Sequence, residues 1–443
     1  MLGGFAAYGV YRLYSFFSWM SSMKPETPAE IKDARVLTGP GFLTKTEFFK
    51  LDQSSLLDTI GRGAGIENDE ERQKFIHAQT AKGIYNFSDL KVIGYEIVAV
   101  GEFGAYIFEL DGTPKRQVAF DLVKEKIKIG PYEQDHFQSD LDNIRIVQLE
   151  KGKYGFLTFS SIAGVRVFDQ NGHQIWSYGK EDIDLGILAQ DEETRQQRYE
   201  KSTHVLQAAV GDLDNDGISE YIVARKKDGI HVFDRQGGEK WFTADEFPSK
   251  RLEVMDVDGD GKNELVAPGR DVRDGEGKLV RSLKGLSDNF FLFADSKKKK
   301  TVLQSCDIFQ EDLTCVDEDG NSVLEAKAPL SVIKLDEPRK VDLGTGPDGD
   351  ESITFETENS SQVKALWVSL KKDKPKYLAV IAAFIGIPRA NLYIYAPDGT
   401  LVYHELLPEN AETITTLPGE NGIDALLVGG KDTIWKYNGV TVP

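Results

Sequence analysis

Only two cysteines, Cys306 and Cys315, occur in 443 residues, too few for a disulfide-rich scaffold or a four-thiolate zinc site. The six histidines at 77, 136, 173, 204, 231 and 404 are scattered, and no H-E-x-x-H, G-x-S-x-G, Walker loop or Cys-x-x-Cys is present. No recognised catalytic pattern is therefore on offer. Positive charge is also scarce: 53 basic residues face 72 acidic ones, for a formal charge of −19. A chain so charged repels phosphate backbones and anionic headgroups, which argues against nucleic acid as a partner.

Charge is nearly absent from residues 1–20, MLGGFAAYGVYRLYSFFSWM, where Arg12 stands alone among seven aromatics. As a helix, Leu2–Met20 would be about 28 Å long, enough for a thin bilayer. A basic n-region and a small-x-small cleavage site are both missing, against a cleaved signal peptide. The expectation is a membrane anchor or signal-like segment over 1–20, with an interface-lying helix as the alternative, then a linker over 21–41. The two cysteines flank a turn near Gln310–Glu311, so a hairpin centred there sets them directly opposite. A disulfide would then be feasible and would imply an oxidising compartment; otherwise they are two small buried hydrophobes.

What the chain does have is a repeat. VRVFDQNGHQIW (165–176) and IHVFDRQGGEKW (230–241) share Val, Phe, Asp, Gly and Trp, and weaker copies start at Ala105, Arg270, Leu313, Leu392 and Asp432. Their turn glycines, Gly112, Gly172, Gly237, Gly277, Gly320, Gly399 and Gly439, lie 60, 65, 40, 43, 79 and 40 residues apart. A spacing near 40 is one four-stranded blade. The expected fold is all-β: a β-propeller over 42–443 with seven blades, or eight if a degenerate blade lies near Ile353–Phe355. Each copy follows a second apolar run, such as Ile97–Val100 or Tyr221–Ala224, expected to be the inner strand. The chain ends soon after Gly439, so the closing strand is sought at 42–51, FLTKTEFFKL. Between these, residues 68–82 read as a short helix capped by Asn68.

Two acidic loops stand out. Asp212-Leu-Asp214-Asn-Asp216-Gly-Ile-Ser-Glu220 and Asp256-Val-Asp258-Gly-Asp260-Gly-Lys-Asn-Glu264 share D-x-D-x-D-G-x-x-E and start 44 residues apart. Alternating carboxylates, a turn glycine and a carbonyl at position seven suit a hard cation that wants six to eight oxygens. An EF-hand needs Glu at position twelve, where these loops have Val223 and Ala267. The acid is at position nine and a strand follows, so the EF-hand reading fails.

At these loops the chain resembles the FG-GAP/VCBS repeat propellers, which include the integrin α head. The resemblance implies two structural calcium ions. One would be held by Asp212, Asp214, Asp216, Glu220 and the Ile218 carbonyl; the other by Asp256, Asp258, Asp260, Glu264 and the Lys262 carbonyl. The equivalent stretches at 295–303, 369–380 and 417–428 lack the aspartates, so no metal is expected there. The expected function is a non-enzymatic, extracytoplasmic scaffold, periplasmic or at the cell surface, that binds protein or glycan. The alternative is a polysaccharide lyase or hydrolase acting at the propeller axis.

Overall fold

A short strand that is apolar on both faces needs a sheet on each side, and a ring of sheets supplies both. The computed structural model describes residues 35–39, 41–52, 68–70, 87–101, 104–120, 123–129, 132–138, 144–160, 164–179, 205–225, 229–244, 251–267, 271–283, 285–287, 289–295, 300–309, 311–329, 340–342, 354–356, 360–384 and 387–439. It is a seven-bladed β-propeller. Blade 1 runs Phe87–Ile93, Glu96–Gly101, Gly104–Glu109, Pro114–Ala119; blade 2 runs Arg145–Glu150, Lys153–Ser160, Gly164–Phe168, Gln174–Tyr178. Blade 3 is Val205–Gly211, Glu220–Arg225, Gly229–Phe233, Glu239–Thr243, and blade 4 is Glu253–Met255, Glu264–Ala267, Asp271–Arg273, Leu279–Ser282. Blade 5 is Phe290–Asp295, Lys300–Phe309, Asp312–Asp317, Ser322–Lys327; blade 6 is Ser360–Val368, Tyr377–Phe384, Ile387–Tyr395, Leu401–Leu406.

Blade 7 takes three strands from the C-terminal end, Ala411–Leu417, Ala425–Gly430 and Thr433–Gly439, and its outer strand, Leu43–Lys50, from the N-terminal side. Leu43 pairs with Gly439 and Lys50 with Thr433, so antiparallel bonds close the ring and cover an edge. Arg35–Thr38, placed in a linker by its sequence, adds a fifth strand to blade 6 beside Leu401–Leu406. Four residues without an apolar run give no period to read. Residues 1–34 lie outside the described residues, and with them the anchor expectation. Of the expected helix, 68–70 are described: the Glu70 N–H donates to Asn68 Oδ1 at 2.8 Å.

The apolar runs expected to be innermost are the second strands. Ile97, Val98, Ala99 and Val100 are fully buried, while the first strands neighbour one another around the axis and carry polar groups such as Asp89, Lys91 and Arg145. The long intervals hold two-stranded hairpins, Val123–Ile129 with Tyr132–Gln138 and Lys340–Asp342 with Thr354–Glu356. The second of these occupies the place considered for an eighth blade. Residues 180–204, within the 65-residue interval between Gly172 and Gly237, lie outside the described residues. In blade 5 Cys306 pairs directly with Cys315, and the two are joined as a disulfide.

Each pair of adjacent blades has its own apolar cluster. Val100 and Phe156 share one between blades 1 and 2, Val223 and Val167 another between 2 and 3, and Phe108 and Ile434 close the ring between 7 and 1. The repeated Asp-x-x-Gly turns join the third and fourth strands. Asp234 Oδ1 accepts from the N–H groups of Gln236 and Gly238 at 2.9 and 2.7 Å, and Asp169, Asp274 and Asp317 do the same in blades 2, 4 and 5. The aspartate is thus a turn former. Its glycine touches the outer strand of the preceding blade: Gly277, at φ +81, faces the Trp241 ring, and a Cβ there would lie 2.8 Å from Trp241 Cε3.

Substituting Gly277→Ala combines left-handed backbone strain with a collision, whereas Gly152→Ala at φ +78 meets nothing within 4 Å. The first is expected to cost about 1 kcal/mol more than the second in urea unfolding, on the scale of a modest overpacking. Equal losses would refute the inter-blade contact.

Candidate metal centre

Each acidic loop links the first and second strands of its blade. Gly211 pairs with Glu220 at the neck of the first loop, and Met255 pairs with Glu264 at the neck of the second. The position-nine glutamate is therefore the first residue of a buried strand, and both glutamates are buried. Glu220 Oε2 accepts from the Leu213 N–H at 2.8 Å, and Glu264 Oε2 from the Val257 N–H at 3.0 Å. The first aspartate ties the glycine turn: Gly217 and Gly261, at φ +91 and +88, donate to Asp212 Oδ2 and Asp256 Oδ2 at 3.0 and 2.9 Å. The third caps the next residue, since Ile218 and Lys262 donate to Asp216 Oδ1 and Asp260 Oδ1 at 2.8 and 2.7 Å.

The two loops converge on different carboxylates. In the first, oxygens of Asp212, Asp214 and Glu220 lie within 4.8 Å of one another; in the second, those of Asp256, Asp258 and Asp260 do. Asp216 and Glu264 fall outside these triplets. Asp212 Oδ1 is buried and has no hydrogen-bond partner, an acceptor turned into the loop that a cation would satisfy.

The charge balance differs more sharply. Lys240, on the outer strand of blade 3, is paired with Asp214 and donates to Glu220 Oε1 at 3.0 Å. Sequence spacing gave no sign of it, because the contact runs across three strands of the sheet. The equivalent position in blade 4 is Val280, since Lys240 and Val280 each precede the residue paired to the third strand, Trp241 and Arg281. Among the described residues no cation is bonded to the carboxylates of the second loop. Burial pushes the Glu220 carboxyl above its ordinary range, against the pull of Lys240 and the Leu213 N–H. Burial also raises Glu264, and Asp258, Asp260 and Asp256 raise it further, with only the Val257 N–H opposing.

The loops also hold each other. The Asn263 N–H donates to Asn215 Oδ1 at 3.0 Å, and Asn263 Nδ2 donates to the Asp212 carbonyl at 2.7 Å. Asn215 reaches this position at φ +63, a conformation asparagine tolerates. Elsewhere His404, buried and stacked on Tyr393 with Nε2 3.2 Å from Asn391 Oδ1, is held down to about 4 by burial. That keeps it neutral in the core.

No protein-family model matches the chain, and no curated protein matches its sequence. Among solved structures it is similar to the Pan2 WD40 domain of Neurospora crassa, with 10% identity over 92% of this chain and 98% of that one and a TM-score of 0.41. BBS1N, solved in complex with ARL6DN, has 10% identity over 81% and 93% and a TM-score of 0.42. The V. cholerae biofilm matrix protein Bap1 has 11% identity over 91% and 78% and a TM-score of 0.36.

A carboxyl whose folded pKa is raised contributes stability at low pH and loses it as pH rises through the folded value. With chelator present, Glu264→Gln should therefore melt higher than the parent at neutral pH, and the gap should close on acidification into the carboxylate range. A gap that widens as pH falls would contradict the burial of an ionised Glu264.

Proposed function

We propose that this propeller is a calcium-stabilised scaffold of the FG-GAP/VCBS kind, working outside the cytoplasm as a non-enzymatic binder of protein or glycan. The observation that carries the calcium reading is the convergence of carboxylate oxygens in two matched loops, with the buried Asp212 Oδ1 lacking a partner. Asp212, Asp214, Asp216 and Glu220 would hold one ion, and Asp256, Asp258, Asp260 and Glu264 the other, with main-chain oxygen from Ile218 and Lys262. Bound calcium would supply positive charge and tie the loop together; both are structural contributions.

The second loop is the stronger candidate. Its carboxylates repel one another without a bonded cation, whereas Lys240 already neutralises part of the first. Binding of other molecules is supported by apolar side chains on neighbouring outer strands: Ile175 in blade 2, Phe242 in blade 3, and Leu279 and Val280 in blade 4 are exposed. Exposed aromatic and aliphatic groups on a rigid frame are what a contact surface requires. The extracytoplasmic setting is supported by the Cys306–Cys315 disulfide, since such bonds persist where the surroundings are oxidising. Among the described residues no helix is long and apolar enough to cross a membrane.

Chelation should lower the melting temperature, with each ion at a hundredfold excess over its Kd contributing about 2.7 kcal/mol. Asp214→Ala combined with Asp258→Ala should abolish the response, and a melting curve indifferent to EDTA would sink the calcium reading. Lys240→Met should tighten calcium binding at the first loop in calorimetry and leave the second unchanged. Replacing both cysteines by serine should cost about 2–3 kcal/mol, the loop-closure scale for so short a loop, measured against the oxidised parent in urea.

A further inference from the structure

The propeller axis collects charge of the opposite sign. Arg145 opens the inner strand of blade 2 and reaches Glu253 of blade 4 at 3.5 Å, spanning blade 3, whose Gln207 it also touches at 3.4 Å. Arg251 donates Nε to Glu253 at 3.1 Å and Nη1 to the Phe290 carbonyl of blade 5 at 2.8 Å, with its guanidinium 4.4 Å from the Phe290 ring centre. Lys91 of blade 1 donates to the Ile146 carbonyl of blade 2 at 2.7 Å and lies 3.7 Å from Asp89. Contacts between non-adjacent blades require these groups to meet near the axis.

Among the described residues, four cations, Lys91, Arg145, Arg251 and Lys364, share this region with two carboxylates, Asp89 and Glu253, for a local charge of about +2. The carboxylates are already engaged. Asp89 accepts from the N–H groups of Leu90 and Ile146 at 2.9 and 2.8 Å, and Glu253 serves both arginines. Lys364, on the inner strand of blade 6, forms no ion pair among the described residues. Burial, then Arg251 and Arg145, push its ammonium down to about 8, with Asp89 and Glu253 opposing. Burial works against ionisation of Glu253, yet Arg251, Arg145 and Lys91 hold its carboxyl down to about 2. About a quarter of each of the Arg145, Arg251 and Glu253 side chains still reaches solvent, so the cluster is accessible to a small ligand.

Arg145 and Glu253 begin their strands, whereas the acidic loops follow the ends of the inner strands of blades 3 and 4. In blades 3 and 4 the acidic loops thus lie beyond the inner strands that carry Gln207 and Glu253. We propose that the axial mouth formed by Lys364, Arg145, Arg251 and Lys91 binds a small oxyanion of the phosphate or sulfate class. A dianion would balance the surplus charge and give Lys364 a partner, and charge-assisted hydrogen bonds to such oxygens are the strong kind. A free ion and a phosphorylated or sulfated sugar present the same group.

The test uses the full chain loaded with calcium and then freed of excess metal by gel filtration, so that the acidic loops stay in one state and no free calcium meets the added anion. Inorganic phosphate and sulfate are titrated at constant ionic strength, with 31P line broadening and calorimetry as readouts and sodium chloride as the control. Saturable binding to the parent is expected, weakened about tenfold or more by Lys364→Met and largely restored by Lys364→Arg. Glucose 6-phosphate and glucose 6-sulfate form a second arm: tighter binding than the inorganic ions assigns the group to a sugar, and equal or weaker binding assigns it to the free ion. No saturable binding of any of the four by the parent, or equal binding by a folded Lys364→Met, would overturn the proposal. Because calcium dependence of melting is scored separately, failure here leaves the metal reading intact, and the reverse also holds.

Discussion

The contact on which the ring depends is a turn glycine resting against the outer strand of the preceding blade. Gly237 lies on Trp176, Gly277 on Trp241 and Gly172 on the Ala119 carbonyl. In each case the left-handed backbone lets the turn descend where any side chain would strike its neighbour. The same contact recurs at the seam: Gly112 of blade 1 rests on Phe48, a residue of the strand that the N-terminal side contributes to blade 7. Closure therefore does more than satisfy the edge of Thr433–Gly439. It supplies blade 1 with the outer-strand surface that blades 2, 3, 4 and 6 find in the strand before them, and it completes the apolar cluster between blades 7 and 1.

The acidic loops inherit their geometry from this packing. They lie at the same end of neighbouring blades, so that Asn263 of one can reach Asn215 and the Asp212 carbonyl of the other. The blade 4 turn comes equally close: the Gly275 carbonyl accepts from Trp241 Nε1 at 3.0 Å, and a Cβ on Gly275 would lie 2.6 Å from the Leu213 carbonyl. A change of shape in one loop is thereby felt at the other through hydrogen-bonded main chain. The unequal charge balance has the opposite source. Lys240 belongs to a strand face that is free to vary between blades, and one residue there decides whether a carboxylate pair meets an ammonium or the exposed Val280 takes its place.

Much of this was legible in the sequence because it is periodic. The Asp-x-x-Gly turns, the apolar second strands and the 44-residue step between acidic loops all repeat, and the strand at 42–51 could be sought because the last blade was one strand short. The innermost strands were missed for a physical reason. They face the axis on one edge, so their apolar content is diluted by Asp89, Lys91, Arg145 and Lys364, and the fully buried second strands outshine them. Arg35–Thr38 was missed because four residues held by main-chain pairing to blade 6 carry no pattern at all. Likewise, loop composition does not encode the separation of Asp216 from the Asp212, Asp214 and Glu220 triplet, since Asp260 occupies the same place in the motif, makes the same cap and joins its own triplet.

Net charge was the least transferable of the sequence quantities. A value of −19 argues against long anionic polymers lying across the surface, because such partners sample the field of the whole face. It says little about a small ion at the axis. Charges separated by more than about 8–10 Å in physiological salt are largely screened, whereas partly buried groups within a few ångströms of one another are screened much less. The local surplus is set by Lys91, Arg145, Arg251 and Lys364 against Asp89 and Glu253, and the fold assembles it from blades 1, 2, 4 and 6. Residues as far apart in the chain as Arg145 and Glu253 meet only when the blades are assembled. An acidic protein can thus carry a cationic centre, and the closure at Leu43–Lys50 that secures the blades is also what brings that charge together.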